Sequence, residues 1–244
     1  MSALYDRIGG QYAGFRQPDA RIADAVRSAL GDSRSVVNVG AGTGSYEPPD
    51  RRVIAVEPSW RMIQQRRVDA APAVQGDAAA LPLFTKSVDA ALAILTIHHW
   101  PRPAEGIREL ERVARDRVVI LTWDPASPGF WLTDYFPEML EIDRRIFPEL
   151  GDVNRLLGET WTREILIPHD CTDGFLGAYW RRPAAYLDAG VRSSISTFSK
   201  LTDGAAGLAN LSDDLQSGEW HDQYGDVFDR TELDLGYRLL VAHL

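Results

Sequence analysis

Thiols are almost missing from this chain. Its 244 residues hold one cysteine, Cys171, which excludes an intramolecular disulfide framework and any four-cysteine zinc site. Lysine is nearly as scarce: of 26 basic residues only Lys86 and Lys200 are lysine, and the arginine pairs are scattered. With a net charge of −9 and no basic patch, neither nucleic acid nor an anionic membrane surface is an expected partner. No apolar run approaches the roughly 20 residues of a bilayer span, and residues 1–10 lack a basic stretch followed by an apolar one. These features read as a soluble, cytoplasmic protein. Repeats, low-complexity tracts and long linkers are lacking too. A hydrophobic content of 45% against 25% charged residues is ordinary for a globular chain, here one α/β domain with additions.

The first half alternates helix and strand signals. Asp19 can cap a helix over 20–30, where Ile22, Ala25, Val26, Ala29 and Leu30 fall at helical spacing before Gly31. Short β-branched or apolar runs at 35–39, 53–56, 73–75, 88–94 and 118–122 read as buried strands. Helices are expected at 59–68 and around Ile107, Leu110, Val113 and Ala114. This order predicts a doubly wound, mostly parallel sheet. Later strand candidates at 164–167 and 239–242 close it.

Residues 36–44 (VVNVGAGTG) carry a strand directly into glycines 40, 42 and 44. The backbone must turn there at the strand's carboxyl end and let a ligand approach, which a Cβ would obstruct. A nicotinamide fingerprint would place its third glycine one residue later and continue into a helix holding the pyrophosphate. Here Pro48 and Pro49 leave room for barely one helical turn before the strand at Val53. Such a crevice suits a nucleoside cofactor without phosphates. Glu57 ends the second strand, seventeen residues after Gly40, close to the ~20 expected for an acid that binds ribose hydroxyls.

Residues 36–44, 53–59 (VIAVEPS), Gly76-Asp77-Ala78 with Leu81-Pro82, and 89–100 (DAALAILTIHHW) resemble, in that order, the four motifs of class I S-adenosylmethionine-dependent methyltransferases of the ubiquinone/menaquinone biosynthesis type. The resemblance implies a Rossmann-like seven-stranded sheet with a helical lid insert after the fifth strand. It also implies S-adenosylmethionine as cofactor and a small-molecule methyl acceptor as partner, with a homodimer left open. Gly40, Ala41, Gly42 and Gly44 would line the methionine part of the cofactor. Glu57 would hold the ribose, with Pro58 following it. Ser59 and Met62 would flank the adenine, Asp77 would accept from its amino group beside Ala78, and Leu95 and Thr96 would present backbone. The segment with Tyr5, Asp6, Arg7, Tyr12 and Arg16 resembles the closing N-terminal helix, Tyr12 reaching the sulfonium region and Arg16 the carboxylate. The same resemblance leaves open a sulfonium-assisted cyclisation or elimination, or a non-catalytic binding protein.

His98 and His99 at the crevice lip are candidate bases. Extended backbone would turn them to opposite sides, so at most one is expected to face the ligand, and no metal site is expected. Asp124 at the end of the fifth strand is a third candidate base, or a turn cap. The run His169-Asp170-Cys171 is no triad, because neighbouring residues cannot converge on one point. Of 23 aromatic residues 16 lie after position 120. Phe130, Trp131, Phe136, Phe175, Tyr179 and Trp180 are therefore candidates to line an acceptor site for an apolar or aromatic molecule. The expected division is a cofactor part over 1–124, an insert over 125–234 carrying one strand near 163–168, and a last strand over 235–244.

Overall fold

A computed structural model of the chain describes residues 15–244. Helix α1 (Ala20–Ala29) starts where Asp19 accepts a hydrogen bond from the Arg21 amide. Strands β1 (Ser35–Val39), β2 (Arg52–Glu57), β3 (Ala73–Gln75), β4 (Val88–Ile94) and β5 (Ala114–Trp123) are all parallel. The closing strand β9 (Tyr237–His243) lies antiparallel between β5 and β6 (Thr160–Glu164). The seven strands run in the order β3-β2-β1-β4-β5-β9-β6, the architecture that the alternating pattern implies.

Side-chain alternation along each strand divides the core between the two faces. Val36, Leu92, Val119 and Leu121 pack with Ile22, Val26 and Leu30 of α1 on one side. Val37, Ala91, Val118 and Ile120 pack with Ile107, Leu110 and Val113 on the other. Those three belong to helix α3 (Pro103–Val113), and Ala114, expected to share that helix, opens β5 instead.

Three local expectations change. The helix expected over 59–68 is a single short one, α2 (Trp60–Gln64), whose cap Ser59 accepts from the Met62 amide. Beyond it Arg66 turns inward, and its guanidinium is buried against Glu47 and donates to the carbonyls of Gly42 and Ala71. The sheet resumes at Thr160, earlier than 164. That edge strand is largely exposed, so no apolar run marks it. The chain then leaves the sheet to form a two-residue strand, β7 (Ile167–Pro168), paired with β8 (Glu232–Leu233).

Everything else after β5 falls into two insertions. Residues 124–159 hold α4 (Leu132–Tyr135), α5 (Pro137–Ile146) and α6 (Leu150–Leu157). Residues 169–231 hold short 3₁₀ turns, α7 (Ala189–Ser193), α8 (Ala205–Ser217) and α9 (Glu219–Tyr224). No helix among the described residues is long and apolar enough to cross a membrane.

Candidate functional site

The carboxyl ends of β1, β2 and β4 open onto one cleft, the place where open α/β sheets bind ligands. Its floor is the loop after β1, which has no helix. Gly40 and Gly42 adopt φ values of +68° and +53°, so both use the left-handed region that glycine reaches without strain. A Cβ on Gly40 would strike Thr96, while among the described residues one on Gly42 would meet only the Met62 methyl at 3.5 Å. Side chains supply the support that a helix would otherwise give. Glu47 accepts from Arg66 and from Asn38 Nδ2, and this buried pair braces the loop from beneath. Gly44 stands against that pair and does not line the cleft.

Glu57 is the buried anion of the cleft. One carboxylate oxygen accepts from the Gly42 amide at 2.8 Å and the other from the Ser59 amide at 2.9 Å. Burial pushes its pKa up, and those two amides and Arg66 pull it back. Glu57 thereby ties the glycine loop to the start of α2, keeping lone pairs on both oxygens for a ligand. Ala41, Pro58, Ser59, Met62, Asp77, Ala78, Leu95 and Thr96 line the same cleft. Asp77 is half exposed and accepts from the Ala79 amide, with Arg102 at 3.5 Å. Leu95 holds a left-handed φ of +49°, a strained conformation for a side-chain-bearing residue, and its amide donates to Leu121 O.

Arg16 lines the cleft too, but its Nε donates to Asp173 at 2.7 Å. Asp173 is wholly buried in the second insertion and also accepts from the Tyr46 hydroxyl at 2.8 Å. This Arg16–Asp173–Tyr46 cluster joins the loop after β1 to an insertion more than a hundred residues away. Sequence reasoning missed Asp173 and Tyr46, because no local pattern marks a pair formed at that separation. Tyr5, Asp6, Arg7 and Tyr12 lie outside the described residues.

A second cavity adjoins the first and shares Arg16, Leu95 and His99 with it. Trp123, Phe130, Phe147, Phe175 and Tyr237 supply aromatic walls, and Met139, Leu140, Ile195 and Leu235 supply aliphatic ones. Both histidines line it. The expectation that only one could do so fails because residues 97–99 form a 3₁₀ turn rather than extended chain. Their rings lie 3.8 Å apart, and His98 stacks on Phe147 at 3.9 Å. Burial drives both imidazoles toward the neutral form, His99 to a pKa of about 3 and His98 well below its ordinary value.

Asp124 is not part of this lining. Its carboxylate accepts from the Ala126 amide and closes a turn. The aromatic candidates separate in the same way: Phe130 and Phe175 face the cavity, whereas Trp131, Phe136, Tyr179 and Trp180 are buried outside it. Trp131 donates to Trp180 O and Trp180 to Ile167 O, the bonds of core indoles. Cys171 is buried as well, and burial pushes its thiol up to about 12, which leaves it inert.

The residue of the second cavity most completely missed is Asp143. It lies on α5, buried, accepts from Thr197 Oγ1 at 2.9 Å, and is raised by burial to a pKa of about 6. Its signal was its spacing, since Met139, Ile142 and Asp143 share the buried face of the helix.

Residues 37–122 match the family described as a methyltransferase domain. A chloroplastic 2-methyl-6-phytyl-1,4-hydroquinone methyltransferase of rice is 32% identical over 151 residues, 57% of this chain and 42% of its own length. The chain thus spans less than half the length of that curated relative. A solved structure from Anabaena variabilis, described as a candidate methyltransferase from an antibiotic biosynthesis pathway, superimposes with a TM-score of 0.88 at 37% identity. That match covers 94% of this chain and 99% of that one. The [4+2]-cyclase SpnF, at 15% identity and a TM-score of 0.55 over 98% and 93% of the two chains, shares the fold.

Proposed function

The chain belongs to the class I S-adenosylmethionine-dependent methyltransferases, and from that premise we propose that it transfers a methyl group to a small acceptor with an apolar or aromatic body. The observation that carries this reading is the pair of adjoining cavities. One has the glycine loop and a buried carboxylate; the other has aromatic walls; and Arg16, Leu95 and His99 stand where they meet.

The first cavity fits S-adenosylmethionine on its own chemistry. Gly42 leaves open the space that a side chain would fill, and Glu57 is a buried acceptor placed for ribose hydroxyls. In this reading Gly40, Ala41 and Gly42 hold the methionine part, Glu57 the ribose, and Ser59, Met62, Asp77 and Ala78 the adenine. Arg16 presents its guanidinium at the junction while Asp173 anchors it. When bound, the cofactor supplies an electrophilic methyl carbon on a sulfonium.

This chain's task is then alignment and exclusion of water. The aromatic walls orient the acceptor and keep its surroundings dry. Leu95 separates the two cavities with a backbone held in a fixed, strained turn. The two neutral histidines leave the junction uncharged on that side. The rice relative's named substrate, a ring bearing an apolar chain, agrees with such walls.

The test is mass analysis after incubation with methyl-labelled S-adenosylmethionine and a panel of aromatic hydroxyl and amine compounds. Label appearing in an acceptor, with S-adenosylhomocysteine formed in equal amount, is the expected result. Acceptor consumed without label would favour a sulfonium-assisted reaction, which the fold shared with a cyclase does not separate from methyl transfer.

A further inference from the structure

The walls of the second cavity are apolar or aromatic along most of their length, with hydroxyls of Thr133, Ser194, Ser196 and Thr197 among them, and Asp143 is the carboxylate in that lining. Its carboxylate comes from α5 in the first insertion, and its hydrogen-bond donor, Thr197, comes from the second. The two insertions are therefore pinned together at a buried anion on the cavity wall. A carboxylate offers about four acceptor sites, and among the described residues Thr197 fills one and no ion pair neutralises the charge. The other charged residue of the lining, Arg16, is engaged by Asp173. Lys200, half-buried beside the cavity, attracts the carboxylate but is not in the lining.

His98 and His99, from the turn after β4, are neutral, and His98 Nδ1 has no partner among the described residues. The Tyr237 hydroxyl on β9 accepts from the Gly177 amide, and the one hydrogen bond to the Asp143 carboxylate among the described residues comes from Thr197. Trp123, Phe130, Phe147 and Phe175 offer rings. Thr197 is the one donor to this carboxylate among the described residues, so a ligand that fills this space with hydrocarbon alone would strip the remaining water from a buried anion and return nothing to it.

We propose that the acceptor carries a hydrogen-bond-donating group, a hydroxyl or an amine, on its apolar or aromatic body, and docks that group on the Asp143 carboxylate. The inference rests on the function proposed above and gives the acceptor's polar end a fixed place. A site built around such a bond discriminates steeply, because the analogue without the donor leaves the carboxylate unpaired. The raised pKa of Asp143 agrees with a carboxylate that gains from a donor supplied by the ligand.

The experiment uses the full chain saturated with S-adenosylhomocysteine and three probes of one shape: 2-phenylethanol, phenethylamine and ethylbenzene, each titrated by calorimetry. Ethylbenzene is expected to bind about tenfold or more weaker than the better of the other two, and whichever of those two wins tells hydroxyl from amine. Asp143→Leu should bring the three affinities together, and Asp143→Asn, which keeps an acceptor for Thr197, should shrink the margin several-fold. The proposal is overturned if ethylbenzene binds as well as both polar probes, if none of the three binds, or if the margin survives in both variants. Failure of the wild-type chain to bind S-adenosylhomocysteine would instead overturn the methyl-transfer reading, so the two failures are distinguishable.

Discussion

The glycine-loop cleft and the aromatic-walled cavity are neighbours built by opposite means. The cleft is mainly backbone geometry: Gly40 and Gly42 at positive φ, and amides of Gly42 and Ser59 held by Glu57, all at the ends of adjacent parallel strands. The cavity is mainly side chains from segments far apart in sequence, Phe130, Asp143, Phe147, Phe175, Ile195 and Tyr237. The first kind of site is fixed by the sheet and takes one ligand class. The second can change its ligand by changing walls, with the sheet undisturbed.

The sharpest way to break this contrast is Gly42→Asp. Asp tolerates left-handed backbone better than most residues, so the damage is local. The new carboxylate would sit beside Glu57 in the space that the glycine leaves open. S-adenosylhomocysteine binding should become undetectable by calorimetry while the circular dichroism spectrum is kept; binding at wild-type strength would remove the glycine loop from the site.

On the other side of the contrast, Trp131 and Phe147 are both aromatic residues of the first insertion, yet only Phe147 lines the cavity. Trp131 packs edge-on against Trp220 and Tyr186 and donates to Trp180 O. Trp131→Ala should therefore cost about 3–5 kcal/mol in urea unfolding. Phe147→Ala should cost less stability and show itself in the acceptor KM, with cofactor affinity changed by no more than about twofold. If the two variants have the same profile, the division between core and cavity aromatics is wrong.

Glu57→Ala probes whether this buried carboxylate of the cleft binds ligand or only braces the loop. Loss of charge-assisted bonds to the ribose should weaken S-adenosylhomocysteine by about 1.5–3 kcal/mol. An unchanged dissociation constant would confine Glu57 to holding the Gly42 and Ser59 amides.

The cleft was legible in the sequence because its determinants are contiguous and chemically exacting. A strand must end, glycines must follow, and an acid must close the next strand, so residues 36–44 and Glu57 announce themselves. The cavity was legible only in part, at Phe130, Phe175, His98 and His99, for three physical reasons. Aromatic content locates an apolar region but not which rings face inward, so Phe136 and Tyr179 were candidates while Phe147 and Tyr237, which line the cavity, were not. The 3₁₀ turn at Ile97–His99, which faces both histidines to the cavity, differs from a strand end only in local dihedrals. The pairings Arg16 with Asp173 and Asp143 with Thr197 arise only after distant segments pack. Strand β6 was expected a few residues too late for a related reason, being an exposed edge whose pairing is carried by backbone.

The smallest predicted effect, and the one that speaks to both halves of the contrast, is the pH dependence at Asp143. Burial raises this carboxyl from its ordinary value to about 6, against the lesser pull of Thr197 and Lys200. The protonated form is therefore favoured in the native state, so the stability the group contributes is fully present below about pH 4 and is lost as pH rises through 6. An Asn at this position never ionises and keeps an acceptor for Thr197, so it escapes that loss. Relative to wild type, Asp143→Asn should gain on the order of 1–2 kcal/mol in urea unfolding between pH 4 and pH 7.5. The neutral histidines and other titrating groups cancel in the difference between the two proteins. Most of the gain should fall between pH 4 and 6, and S-adenosylhomocysteine affinity at pH 7.5 should be unchanged, because Asp143 does not line the cofactor cleft. A difference that is flat with pH would mean that this carboxylate is solvated in the native state. A large loss of cofactor affinity would mean that the two cavities are one site.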